Sequence, residues 1–190
     1  FWNVENLFDP FDDSLKMDDE FTTSGYRGGT WKRFEQTIIH IYKVIVSVGW
    51  QPPDIIGLCE VENRRVLTDL TRKTPLRHFN YDIIHFESPD KRGSDVAMIY
   101  NPKYIRVLEA LAYPVDLSSE GGGTVRDILY VRVLFGTGDP VSLFINHWPS
   151  KYGGAGRTED FRKIAAKTLK THVEALMKRR PAEKILIMGD

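Results

Sequence analysis

The chain has a single cysteine, Cys59, set inside an apolar run, which excludes an internal disulfide and any paired-thiol redox motif. A small buried hydrophobe is its expected role. It lacks an excess of either charge, with 26 basic against 26 acidic side chains, so no global field drives it toward polyanions. Any polyanion must be held locally. No apolar run approaches the ~20 residues that cross a bilayer, and no charged-then-apolar leader is visible. The chain nonetheless starts without Met inside a strand-like run, which leaves a removed leader and export open. Repeats and low-complexity tracts are absent too, which argues against solenoids and disordered tails.

What is present suits one globular domain: 190 residues, 42% hydrophobic and 27% charged. The charges are unevenly spread. Residues 1 to 20 hold seven acidic side chains against Lys16 alone, whereas 151 to 180 hold nine basic ones against Glu159, Asp160 and Glu174. That asymmetry permits a basic rim or a solvated helix face.

Residues 31 to 49 place Trp31, Phe34, Ile38, Ile41, Ile45 and Val48 at helical spacing, closed by Gly49, Pro52 and Pro53. A strand is expected at 54 to 60, a helix at about 63 to 73, and strands near 81 to 86, 95 to 101 and 105 to 113. SSEGGGT (118 to 124) reads as a turn, and the runs 126 to 135 and 141 to 148 around GTGDP read as a hairpin. A long helix then opens at Thr158, Glu159 and Asp160 and closes at Lys178, Arg179 and Arg180, a charge order that complements the helix dipole. Helices alternating with strands and hairpins predict a mixed sheet covered by helices, an α/β sandwich.

Several strand-like runs end on residues suited to metal and phosphate chemistry. WNVEN brings Asn3 and Glu5, DIIGLCEVEN brings Glu60, VSLFINHWPS brings Asn146 and His147, and KILIMGD ends on Asp190. Carboxyl ends of strands in open α/β sheets line a shared crevice, so these groups can converge despite their separation. Glu60 suits a hard cation such as Mg²⁺, which takes oxygen ligands. Asn3 and Glu5 share a face if their strand is regular, with Asn3 donating to a phosphate oxygen and Glu5 holding or steadying the metal. His147 can transfer protons near neutrality, with Asp95 as a candidate to orient its ring. The histidines at 40, 78, 85 and 172 fall within helix or strand patterns and read as structural. Arg126 can grip two phosphate oxygens in a fork or pair with Asp127 or Glu120. Ser150, Lys151 and Arg157 flank the glycine-rich KYGGAG loop, whose N–H groups can approach phosphate. Asp190 can activate water, hold the metal, or simply occupy a turn.

In this order WNVENLFD, DIIGLCEVEN, KRGSDVAMIYNP, RDILYVR, NHWPSKYGG and ILIMGD resemble the endonuclease/exonuclease/phosphatase superfamily, the DNase I-like fold, over essentially the whole chain. The resemblance implies a four-layered α/β sandwich of two mixed, mainly antiparallel sheets flanked by helices, lacking its C-terminal part here. It also implies phosphoester hydrolysis by a metal-activated water, with Mg²⁺ or Mn²⁺ as cofactor and a phosphoester substrate, nucleic acid among the candidates. On it Glu60 matches the metal-binding glutamate, Glu5 a further acidic metal-site residue, Asn3 the active-site asparagine and His147 a catalytic histidine. Arg126 resembles a phosphate-contacting arginine, with Asn146 and Ser150 beside it, and Asp190 matches the aspartate of a Gly-Asp motif. The same scaffold serves phosphomonoesters and phospholipids, including sphingomyelinase-like activity, and it can persist as a non-catalytic interaction module.

Overall fold

The computed structural model describes residues 1–190 except Thr137, Tyr152, Gly153, Ala155 and Arg157. Among the described residues eight strands form two four-stranded sheets. The first contains β1 (Trp2–Leu7), β2 (Ile55–Val61), β3 (Asp82–His85) and β4 (Asp95–Tyr100), in the order β1-β2-β4-β3. The second contains β5 (Ile105–Tyr113), β6 (Ile128–Phe135), β7 (Pro140–Asn146) and β8 (Lys184–Gly189), in sequential order. Each sheet has one parallel pair, β1 with β2 and β7 with β8, and is otherwise antiparallel.

Both parallel pairs need a crossover, and a helix supplies each. Between β1 and β2 runs α1 (Trp31–Ser47), started by Thr30, whose hydroxyl accepts from the Arg33 N–H at 3.2 Å. Phe34, Ile38, Ile41 and Ile45 recur at three- and four-residue intervals and are the buried residues of α1, so the expected periodicity holds. Between β7 and β8 runs α3 (Glu159–Arg179), with Ala165, Leu169 and Leu176 buried. Directly after β2 comes α2 (Arg64–Lys73), capped by the Asn63 side chain on the Val66 N–H.

Central strands are apolar on both faces because both faces are covered. On the first sheet Leu58, Ala97 and Ile99 pack outward against Ile38, Ile41, Val66, Leu67 and Leu70 of α1 and α2. Their neighbours Cys59, Val96 and Met98 turn inward to meet Leu129, Val131, Leu143 and Ile145 of the second sheet. On that sheet's outer side Tyr130 and Phe144 receive Ala165, Leu169 and Leu176 of α3. The layers therefore run helix, sheet, sheet, helix, the sandwich that the sequence implies. Gly57 marks the close contact between sheets: a β-carbon there would lie 2.8 Å from Met188 Sδ and 3.4 Å from Ile145 Cδ1.

Candidate active site

The parallel pairs β1/β2 and β7/β8 bring their residues to one cleft. Its centre is Asn3, whose single amide nitrogen donates to Glu60 Oε1 at 2.9 Å and to Asp190 Oδ2 at 2.8 Å. Both amide hydrogens are thus used on carboxylates that lie 57 and 187 residues away in sequence. The amide oxygen accepts the Glu5 N–H at 2.9 Å, which fixes which way the side chain is turned. His147 closes the group, with Nε2 3.7 Å from Glu60 Oε1.

Backbone geometry explains how these side chains meet. Glu60 has φ +62°, and the β2/β4 register shifts between Cys59 and Val61, so β2 bulges at the glutamate. Glu5 and Asn6 also have positive φ, +55° and +64°, and the β1/β2 register shifts between Asn3 and Leu7. A left-handed non-glycine residue costs on the order of 1–3 kcal/mol, and such residues cluster where function holds them. On the other sheet the β7/β8 ladder continues unbroken beyond the strands: the Asp190 N–H donates to Asn146 O at 3.2 Å, and the Trp148 N–H donates to Asp190 O at 3.0 Å. That clasp presents Asp190 beside His147. Gly189 is required there, because a β-carbon would lie 2.5 Å from Asn146 O.

The remaining sequence candidates fall in different places. Arg126 points inward: Nη1 donates to Asp90 Oδ2 at 2.9 Å, Nε to His147 O at 3.2 Å and Nη2 to Trp148 O at 2.9 Å. With 3% exposure it braces the His147 turn instead of offering a fork to phosphate. Asp95 also departs from expectation, for it accepts from Ser88 N at 3.0 Å and lies 3.1 Å from His85 Nε2, so it orients His85 and not His147. Glu5 loses its shared face with Asn3 because the strand is irregular; it lines a separate hollow of about 180 Å³ with Phe8, Phe21 and Arg27. Ser150 and Lys151 are exposed beyond the Pro149 turn, and Arg157 lies outside the described residues.

Asn146 is buried, donates to Phe144 O and Met188 O, and lines a cavity of about 220 Å³ with Trp148, Met188 and Asp190. Three successive residues here, Asn146 (Oδ1), His147 (Nδ1) and Trp148 (Nε1), each hold one buried polar atom with no hydrogen-bond partner among the described residues. Buried polar atoms are nearly always paired, so this run is a concentration of unmet polar demand next to the cleft. Burial pushes His147 down to about 4, with Arg126 adding to the effect and Glu60 and Asp190 opposing it, so the ring is neutral at pH 7.

Asp90, Trp148 and Cys59 belong to this region although sequence reasoning left them out of it. The Cys59, His147 and Asp190 donor atoms all lie within 4.8 Å of one another. Burial, then Asp190 and Glu60, push the Cys59 thiol up to about 12, which keeps it protonated and a poor ligand. The carboxylates Glu60 and Asp190, bridged by Asn3, make instead an oxygen donor set that fits a hard divalent ion such as Mg²⁺ or Mn²⁺.

A sequence model of the endonuclease/exonuclease/phosphatase family matches residues 1–190, and the chain belongs to that family of phosphoester hydrolases. Among solved structures it is similar to TDP2 from Caenorhabditis elegans, at 17% identity and TM-score 0.64, covering 85% of this chain and 43% of that one. The human Nocturnin catalytic domain with bound sulfate is similar at 16% identity and TM-score 0.64, covering 100% and 62%. D. rerio TDP2 complexed with a single-strand DNA product follows at 19% identity and TM-score 0.54, covering 100% and 58%. This chain thus spans between 43% and 62% of the length of these structures. No curated protein matches it. Among the described residues no helix is long and apolar enough to cross a membrane.

Proposed function

We propose that the protein is a Mg²⁺- or Mn²⁺-dependent phosphodiesterase of the nuclease type. The observation that carries this reading is the Asn3 amide shared between Glu60 and Asp190 with His147 alongside, residues delivered from both sheets to one cleft. Glu60, with Asp190, would hold the metal, which supplies charge stabilisation at a phosphoryl oxygen and acidifies bound water. Asn3 keeps the two carboxylates in register. Asp190, exposed at the end of β8, is placed to orient or deprotonate the attacking water. The neutral His147 ring can take up a proton or hydrogen-bond an equatorial oxygen as charge develops. Asn146 and Trp148 line the adjoining cavity. Arg126 acts on the site through the His147 and Trp148 carbonyls as a positioning residue.

The D. rerio structure holds a single-strand DNA product, which makes nucleic acid the first substrate class to test. The whole protein is assayed with Mg²⁺, Mn²⁺ or Zn²⁺ on single-strand DNA, plasmid DNA, a phosphomonoester, a small phosphodiester and sphingomyelin. DNA or diester cleavage with Mg²⁺ or Mn²⁺ is expected, abolished by chelator, with about 10²- to 10⁴-fold loss in His147→Ala and at least as much in Glu60→Gln. Cys59→Ala should keep its metal preference. Wild-type rates in both site variants would refute the assignment, and a module without chemistry would show neither turnover nor Mg²⁺ binding by calorimetry.

A further inference from the structure

The segment between β1 and α1 carries most of the acidic excess of the first twenty residues, and the cleft just described uses none of it. It folds back so that carboxylate oxygens of Asp13, Asp18 and Glu62 all lie within 4.8 Å of one another. Asp18 is 1% and Glu62 3% exposed. Asp18 accepts the Asp13 N–H on Oδ2, but its Oδ1 is buried with no hydrogen-bond partner among the described residues. Glu62 uses Oε2 to accept the Asp9 N–H at 2.7 Å.

No basic side chain among the described residues forms an ion pair with these groups. Lys16 is turned away, donating to Ser88 O at 3.0 Å and Asp90 O at 3.3 Å, and Arg65 lies 3.7 Å from Asp9 while stacking over Phe11 and Trp31. Burial, with Asp9, Asp13 and Asp18 adding to it, pushes Glu62 up to about 8, so its carboxyl holds a proton at pH 7 that a hard cation entering the group would displace. All three donors are oxygens and come from an irregular loop and a strand end, which suits the adaptable coordination of Ca²⁺ better than the strict octahedron of Mg²⁺. A ligand distance of about 2.4 Å also spans oxygens up to about 4.8 Å apart on opposite sides of the ion.

We propose that Asp13, Asp18 and Glu62 form a second cation site, separate from Glu60, that takes a calcium-type divalent ion and fastens the loop after β1 to the end of β2. The fastening reaches further. Beside this site, Lys16 and the Met17 N–H hold the carbonyls of residues 88 to 91, a segment whose Asp90 carboxylate holds Arg126 and thereby the His147 turn. Loading the loop would therefore stiffen the support of His147 from a distance.

The test is a Ca²⁺ titration of the metal-stripped whole protein, by calorimetry and by thermal unfolding without Mg²⁺. Wild type and Glu60→Gln should both bind one ion at this site, with the unfolding midpoint raised by roughly 5 °C at a hundredfold excess over Kd. Asp18→Asn should weaken that binding at least tenfold and abolish the shift. Since Asp13 is exposed, Asp13→Asn keeps the fold and decides the matter if Asp18→Asn does not fold. A wild type with no Ca²⁺-dependent shift, an unchanged response in Asp13→Asn, or a response lost only in Glu60→Gln would each overturn the proposal.

Discussion

In the first sheet Asn3 and Glu60 reach the cleft from strands that break their own regularity, with left-handed φ values at Glu5, Asn6 and Glu60 and register shifts in both ladders of β2. In the second, Asn146, His147 and Asp190 stand at the ends of an unbroken parallel ladder held by a buried ion pair, Arg126 with Asp90. One half aims its side chains by bending the backbone; the other keeps the backbone straight and braces the turn beyond it. The bent half should respond to substitutions that change φ preference, and the braced half to loss of charge or room.

The largest stability effect is expected in the braced half. Asp90→Ala leaves the buried Arg126 guanidinium without its carboxylate and should cost about 3–5 kcal/mol in urea unfolding, whereas in Arg126→Ala the Asp90 carboxylate keeps Arg92 and the loss should be smaller. The double variant Asp90→Leu/Arg126→Met should recover a good part of that loss while leaving His147 poorly held, so stability returns and turnover does not. Recovery of both would show that the pair only stabilises. Next comes Gly189→Ala, whose new methyl must displace the Asn146 backbone; about 1–3 kcal/mol of destabilisation is expected, with turnover falling more than binding. The smallest effect sharpens the bent half. With φ at +62°, Glu60→Gly should be more stable than Glu60→Ala by about 1 kcal/mol, both being inactive. Equal melts for the two would mean that the bulge carries no strain.

The same contrast separates what was legible in the sequence from what was not. Apolar periodicity placed α1 and the buried strands because burial imposes those periods, and the strand-end residues Glu60, His147 and Asp190 were readable as a converging set. The expectation that Asn3 and Glu5 share a face failed because period-two reasoning assumes a regular strand, and positive φ in non-glycine residues has no compositional signature. For Arg126 the sequence offers a phosphate or the nearby Asp127 and Glu120 as partners, because nothing in a one-dimensional pattern reveals that Asp90, in an aperiodic loop 36 residues earlier, meets it in the interior. Likewise Asp95 went to His85, a neighbour across the β3/β4 ladder whose partnership depends on pairing register.

Gly57 gives the last lesson. It lies at the interface between the two sheets, upstream of Glu60 on β2, and the space a methyl group would need there is filled by Met188, two residues before Asp190. The gauge of the cleft is therefore set by a missing side chain in the interior. A bulkier residue at 57 would wedge the halves apart and pull the glutamate and aspartate off their common asparagine without altering any group that touches substrate.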